Sequence, residues 1–215
     1  WAVLLADATR ALASAGRWRE AFAHVERHNG IGHRLLDGRQ VAVLAHLHVE
    51  GPTTALSLLN ESTQTEPWEE AVKACLTALC LTHTDQSPDS AVTALVDSYL
   101  LLPTDPALAL FHVRLGVSAV DLAETTGQHA EAGRAATRLL HHAMTGENAY
   151  AAREILNNGP CRSRLTTTQH STLSKAVRSA GLDHNTIPQA LTNGLLTAVE
   201  TAQAVAARDQ QELPV

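Results

Sequence analysis

From Leu4 to Ala15 the apolar residues Leu4, Leu5, Ala8, Leu12 and Ala15 recur at intervals of three and four, which gives a helix one apolar stripe. Gly16 ends that helix, because glycine adopts the left-handed backbone of a helix C-terminal cap without the steric cost of a side chain. The helical spacing resumes from Trp18 to His28 and places Trp18, Ala21, Phe22 and Val25 on one side. Ala21 is small where the two helices must approach, and Trp18 supplies the bulk that closes the turn.

The same arrangement returns along the chain. Gly16, Gly51, Gln86 and Gly127 mark turns, and Ala21, Ala55, Ala91 and Ala132 follow four or five positions later at the start of a new apolar helix. Such recurrence predicts a stack of helical hairpins. Beyond Gly146 the register fails. There the spacing predicts a short helix over 149–156, a polar loop over 157–164, and helices over 168–180 and 188–208. Pro188 suits a first helical turn, and Leu191, Leu195, Leu196 and Val199 form the apolar stripe of the last helix. The expected organisation is therefore an array over residues 1–145 and capping helices over 146–215.

Composition supports helices and narrows the partners. No segment shows the alternation or β-branched enrichment of a strand, and aromatic residues make up only 3% of the chain, so Ala, Leu and Val must fill the interior of an all-α protein. A net charge of −6 argues against direct nucleic-acid binding, which requires clustered Lys and Arg. Arg10, Arg17 and Arg19 lie close together, but Asp7 and Glu20 flank them, as on a solvated face. The strongest apolar run, Ala94 to Leu102, is interrupted by Asp97 and stopped by Pro103, too short for a membrane span. No signal peptide is recognisable. Of the three cysteines one must be unpaired if the others bridge; Cys75 and Cys80, five apart on a helix, point in different directions, so a local disulfide is geometrically poor and a reducing cytoplasm is expected. The start at Trp1 suggests a portion of something longer, and Arg outnumbers Lys by 14 to 2, a bias of GC-rich bacterial genomes such as those of actinobacteria.

The stretch LASAGRWREAFAHV resembles the middle of a tetratricopeptide repeat, a unit of about 34 residues with a Gly turn, an aromatic, an Ala and a closing Pro. Gly51 lies 35 residues after Gly16 and Gln86 another 35 on, while Pro67 and Pro103 fall near the closing-proline position. Gly127, His129 and Ala132 repeat the spacing of Gly16, Trp18 and Ala21 after a longer unit of 41, whose extra residues around Pro103 and Pro106 read as a loop. The chain departs from the family where Gln86 replaces glycine and where Pro52 and Thr53 leave the second turn without an aromatic. A helical-hairpin array outside the family carries the same pattern. The resemblance implies a right-handed solenoid of antiparallel helical hairpins with C-terminal capping helices, whose first helices line a concave surface that docks a peptide. The residues placed in that groove are Arg10, His48, Lys73, His83, Arg114, Asp121 and Glu124. Their mixed signs suit a ligand carrying both charges.

Among chemically active side chains, His24 and His28 stand four apart on a helix with His33 following, the only spacing suggestive of zinc. No HExxH, CxxC or partner carboxylate completes a site, so no metal or cofactor is expected. His46 and His48 cannot share a helix face, and His141 and His142 diverge likewise. Cys161, between Pro160 and Arg162 in the polar loop, reads as the most exposed and reactive thiol. Glu69–Glu70 and Glu20–Glu26 read as solvated helix surface. The expectation is a protein or peptide interaction module within a larger bacterial regulatory protein. The alternatives are an all-helical enzyme or enzyme component using the histidine-rich faces, and a scaffold that self-associates through its C-terminal helix.

Overall fold

A computed structural model of the chain describes residues 2–145, 148–183 and 189–211, leaving the side chains of 2–6, 106, 190 and 204–211 undescribed. Gly146, Pro188 and the Leu4 and Leu5 side chains thus lie outside the described residues. Among those described, every regular element is a helix: α1 (Ala2–Ser14), α2 (Trp18–Arg27), α3 (Asp37–Val49), α4 (Pro52–Asn60), α5 (Pro67–Leu81), α6 (Asp89–Leu101), α7 (Ala109–Thr125), α8 (His129–Thr145), α9 (Ala149–Asn157), α10 (Gly159–Ser163), α11 (Thr167–Ser179) and α12 (Gln189–Gln211). A 3₁₀ turn at Pro106–Leu108 leads into α7, within the stretch expected as a loop.

The turn glycines behave as their chemistry requires. Gly16, Gly51 and Gly127 have φ of +70°, +105° and +76°, a region that side chains disfavour. The small buried position is set by the start of the following helix rather than by the glycine. The fourth residue of α2, α4 and α8 is Ala21, Ala55 or Ala132, each with no exposed surface. At the turn without glycine the chain takes longer to re-enter a helix, α6 begins at Asp89, and its fourth residue is Val92. It is Val92 that is fully buried, whereas Ala91 is only half-buried.

Each helix from α1 to α8 packs on the next, and α1, α3, α5, α7 and α9 also touch in series. On the other side α8 contacts both α6 and α11, and α11 lies against α9. This neighbour-to-neighbour packing is consistent with helical repeats. The interior is aliphatic: Leu35, Val43, Leu59 and Leu76 fill one cluster, and Leu95, Val96, Val120, Leu139, Ile155 and Leu173 a larger one around Tyr99. Two helical glycines permit close approach. A Cβ on Gly38 would overlap the Gly30 carbonyl and come within 2.9 Å of Val25 Cγ1, and one on Gly116 would overlap the Tyr99 hydroxyl.

The expected polar loop over 157–164 is instead occupied largely by α10. The Asn158 side-chain oxygen accepts from the Cys161 N–H at 2.8 Å, which starts a helix where Gly159 and Pro160 gave no apolar spacing to read. The turn carries Cys161 inward, where it is buried, so the expected exposed thiol is corrected. Burial pushes its pKa up to about 12, and the negative charge of Asp121 acts the same way. Cys75 and Cys80 are free as expected, and burial raises their pKa values to about 12 and about 11.

Candidate functional site

An apolar cleft of about 550 Å³ lies where α1, α2 and α3 meet. Val25, Leu36, Val41 and Leu44 supply its apolar wall, and Leu36 is 44% exposed. The floor exists because Gly38 lets α3 lie against the Gly30 carbonyl. Arg10 and Asp37 close one rim: the Arg10 guanidinium donates to Asp37 Oδ2 at 3.2 Å and also stands 3.7 Å from Asp7. All three of these charged groups are exposed, so the pair orients a rim more than it stabilises the fold.

The other residues expected in a groove are distributed among several structural tasks. His48 is exposed and its ring stacks on Trp18 with centroids 4.9 Å apart. Trp18 is itself only half-buried, so it joins α2 to α3 rather than plugging the turn. Phe22 meets His46 edge-on at the same 4.9 Å separation, so the two histidines of α3 engage different partners. Lys73 is half-buried and its Nζ reaches the Ser62 carbonyl at 3.5 Å. His83 stands exposed after α5.

The α7 residues form a row that holds the next helices. Arg114 donates to Glu154 Oε1 at 3.1 Å, and Asp121 accepts from the Asn158 amide at 2.9 Å at both oxygens. Glu124 pairs with Arg164 and lies 2.8 Å from His129 Nδ1. Hydrogen bonds from Arg164 and His129 hold the Glu124 carboxyl below the usual carboxylate range, against the opposing effect of burial. These three residues, expected as open ligand contacts, therefore join α7 to the segment from α9 to Arg164.

The candidate metal residues come only partly together. His24 and His28 approach edge-on with ring centroids 4.7 Å apart, as their spacing predicts, and His33 is exposed in the following loop. Among the described residues no group of three or more His, Cys, Asp or Glu is placed to hold a metal ion. His141 and His142 diverge: His141 is exposed, while the His142 ring stacks on His112 at 5.4 Å.

Two polar residues have a role that the spacing of apolar positions did not reveal. Glu69 is fully buried while Glu70 is exposed, correcting their shared assignment to solvated surface. Glu69 accepts from the Thr65 and Glu66 backbone N–H groups at 2.6 and 3.0 Å and from Arg34 Nε at 3.0 Å. Arg39, also buried, donates to Ser62 Oγ at 2.7 Å, the Gly32 carbonyl at 2.7 Å and the Leu58 carbonyl at 3.0 Å. For Glu69 a legible signal existed: Glu66-Pro67-Trp68-Glu69 is a capping box with proline at the first helical position. Arg39 had none.

Among the described residues no helix is long and apolar enough to cross a membrane. No protein-family model matches the chain, and neither a curated protein nor a solved structure shows significant similarity to it.

Proposed function

We propose that this chain is a protein or peptide interaction module, built as a right-handed solenoid of antiparallel helical hairpins resembling tetratricopeptide repeats and acting within a larger cytoplasmic bacterial regulatory protein. The observation that carries the reading is the open apolar cleft between α1, α2 and α3, rimmed by Arg10 and Asp37. Apolar walls with a charged pair at the mouth suit an amphipathic segment that buries two or three apolar side chains and aligns its own charges with the rim. Serial contact of α1, α3, α5, α7 and α9 supports the hairpin order. Of the groove residues expected from sequence, Arg10 lines this cleft, while Arg114, Asp121 and Glu124 are held by the next helices.

The test is affinity capture from the source cells with wild-type protein, Leu36→Glu, and an Arg10, Lys73, Arg114 triple alanine variant. Leu36 is exposed and its replacement should leave the fold intact. A partner retained by wild type and lost with Leu36→Glu supports the cleft, and one lost only with the triple variant moves the surface to the charged positions. Equal capture by all three removes the reading.

One observation favours a second reading, self-association. Leu191, Leu195, Leu196 and Val199 are 59%, 55%, 56% and 52% exposed, an apolar stripe along α12. Light scattering is expected to show a concentration-dependent dimer that Leu195→Glu converts to monomer. A monomer for both proteins at high concentration rejects it.

A further inference from the structure

In the packing of α6, α7 and α8, four buried polar atoms meet no hydrogen-bonding partner among the described residues: Tyr99 Oη, His112 Nδ1, Arg138 Nε and His142 Nε2. Arg138 stands close enough to act electrostatically on Tyr99, His112 and His142. His112 and Gly116 are a helical turn apart on α7, and Arg138 and His142 a turn apart on α8. The His112 and His142 rings stack, and the Tyr99 hydroxyl lies against Gly116 beside Leu139. Tyr99 is 0% exposed and His112 3%. The Leu102 carbonyl takes Arg138 Nη2 at 2.8 Å.

All four atoms are able to donate, the two imidazole nitrogens in the tautomer that carries the proton there. No carboxylate pairs with Arg138 among the described residues. An unpaired buried polar group costs about 1–3 kcal/mol, so four together in an otherwise aliphatic core call for a common acceptor. A neutral acceptor would answer the hydrogen bonds but leave the half-buried guanidinium without a counter-charge. We propose that this is an internal site for a small anion, of the size of chloride or of a single carboxylate or phosphate group, bound by Tyr99, His112, Arg138 and His142. The surrounding charges agree. Burial and then the positive charge of Arg138 lower the pKa values of both imidazoles, with Asp105 partly opposing this at His112 and His141 adding to it at His142. An anion in the site reverses that effect.

The experiment compares sodium chloride, acetate and phosphate at fixed ionic strength, reading the melting temperature together with the His112 and His142 imidazole NMR signals. At least one anion is expected to raise the melting temperature saturably and to raise both imidazole pKa values. Tyr99→Phe keeps the ring and removes one donor to a charged ligand, so apparent affinity should fall about tenfold. Arg138→Gln should abolish the response. If that variant does not fold, Tyr99→Phe and the imidazole signals decide alone. Melting that ignores anion identity, with water completing the site, overturns the proposal. So does an equal response in wild type and Tyr99→Phe, which would indicate surface screening only.

Discussion

Arg39→Ala is expected to destabilise the protein by about 3 to 4 kcal/mol, because the buried acceptors it serves would each lose a partner at about 1–3 kcal/mol. The Gly32 carbonyl precedes α3, and the Leu58 carbonyl and the Ser62 hydroxyl sit at the end of α4, so one guanidinium holds two chain segments from opposite sides. Ser62 Oγ still donates to the Leu58 carbonyl at 2.7 Å in the variant, which keeps the loss below the sum of three broken bonds. Arg39→Met restores the aliphatic volume but none of the donors, so most of the loss should remain. Glu61 is the control. It stands 3.9 Å from Arg39 and is 72% exposed, and removing such a surface partner is worth at most about 1 kcal/mol. Urea denaturation measures all three, and an Arg39→Ala protein as stable as Glu61→Ala would refute the assignment.

Glu69→Ala is expected to cost about 3 kcal/mol and to change how stability depends on pH. Burial raises the Glu69 pKa, but hydrogen bonds from the Thr65 and Glu66 N–H groups, the Thr65 hydroxyl and Arg34 outweigh it, and the net pKa lies below the ordinary value. A carboxylate whose folded pKa is depressed contributes stability that is fully present above its unfolded pKa, about 4.3. That contribution disappears as pH falls through the lower folded value. Wild type should therefore lose stability below about pH 4 more steeply than Glu69→Gln, which cannot titrate and retains one acceptor oxygen. Parallel acid-unfolding curves for the two proteins would show that folding does not lower the Glu69 pKa.

Both residues act on the same piece of architecture. The connection from α2 to α3 runs beside the one from α4 to α5: the Thr63 N–H donates to the His33 carbonyl at 2.9 Å, and Arg34 and Thr63 form an isolated parallel bridge. Irregular segments leave backbone groups that no helix satisfies. Arg39 serves the first connection and the end of α4, and Glu69 serves the second while gripping Arg34 of the first. A buried cation and a buried anion, each almost fully hydrogen-bonded, do for these loops what the apolar stripes do for the helices.

What the order of residues carried was local. Apolar spacing of three and four marked out α1, α2, α9, α11 and α12, and Gly16, Gly51 and Gly127 announced turns of the hairpins between because few other residues tolerate positive φ. Alanine at the fourth position of α2, α4 and α8 was equally legible, since close helix approach demands a small side chain within a few residues of the turn. The fates of Arg39 and the α7 row depended mainly on segments 19 to 40 residues away, that of Cys161 on a cap formed by Asn158, and Glu69 combined a local capping box with Arg34, 35 residues away. A polar residue on a helix looks the same in sequence whether it meets water, a loop carbonyl or a ligand. Arg114, Asp121 and Glu124 illustrate this: the family resemblance implied an open groove for them, and only the arrival of Glu154, Asn158 and Arg164 made them a joint between helices.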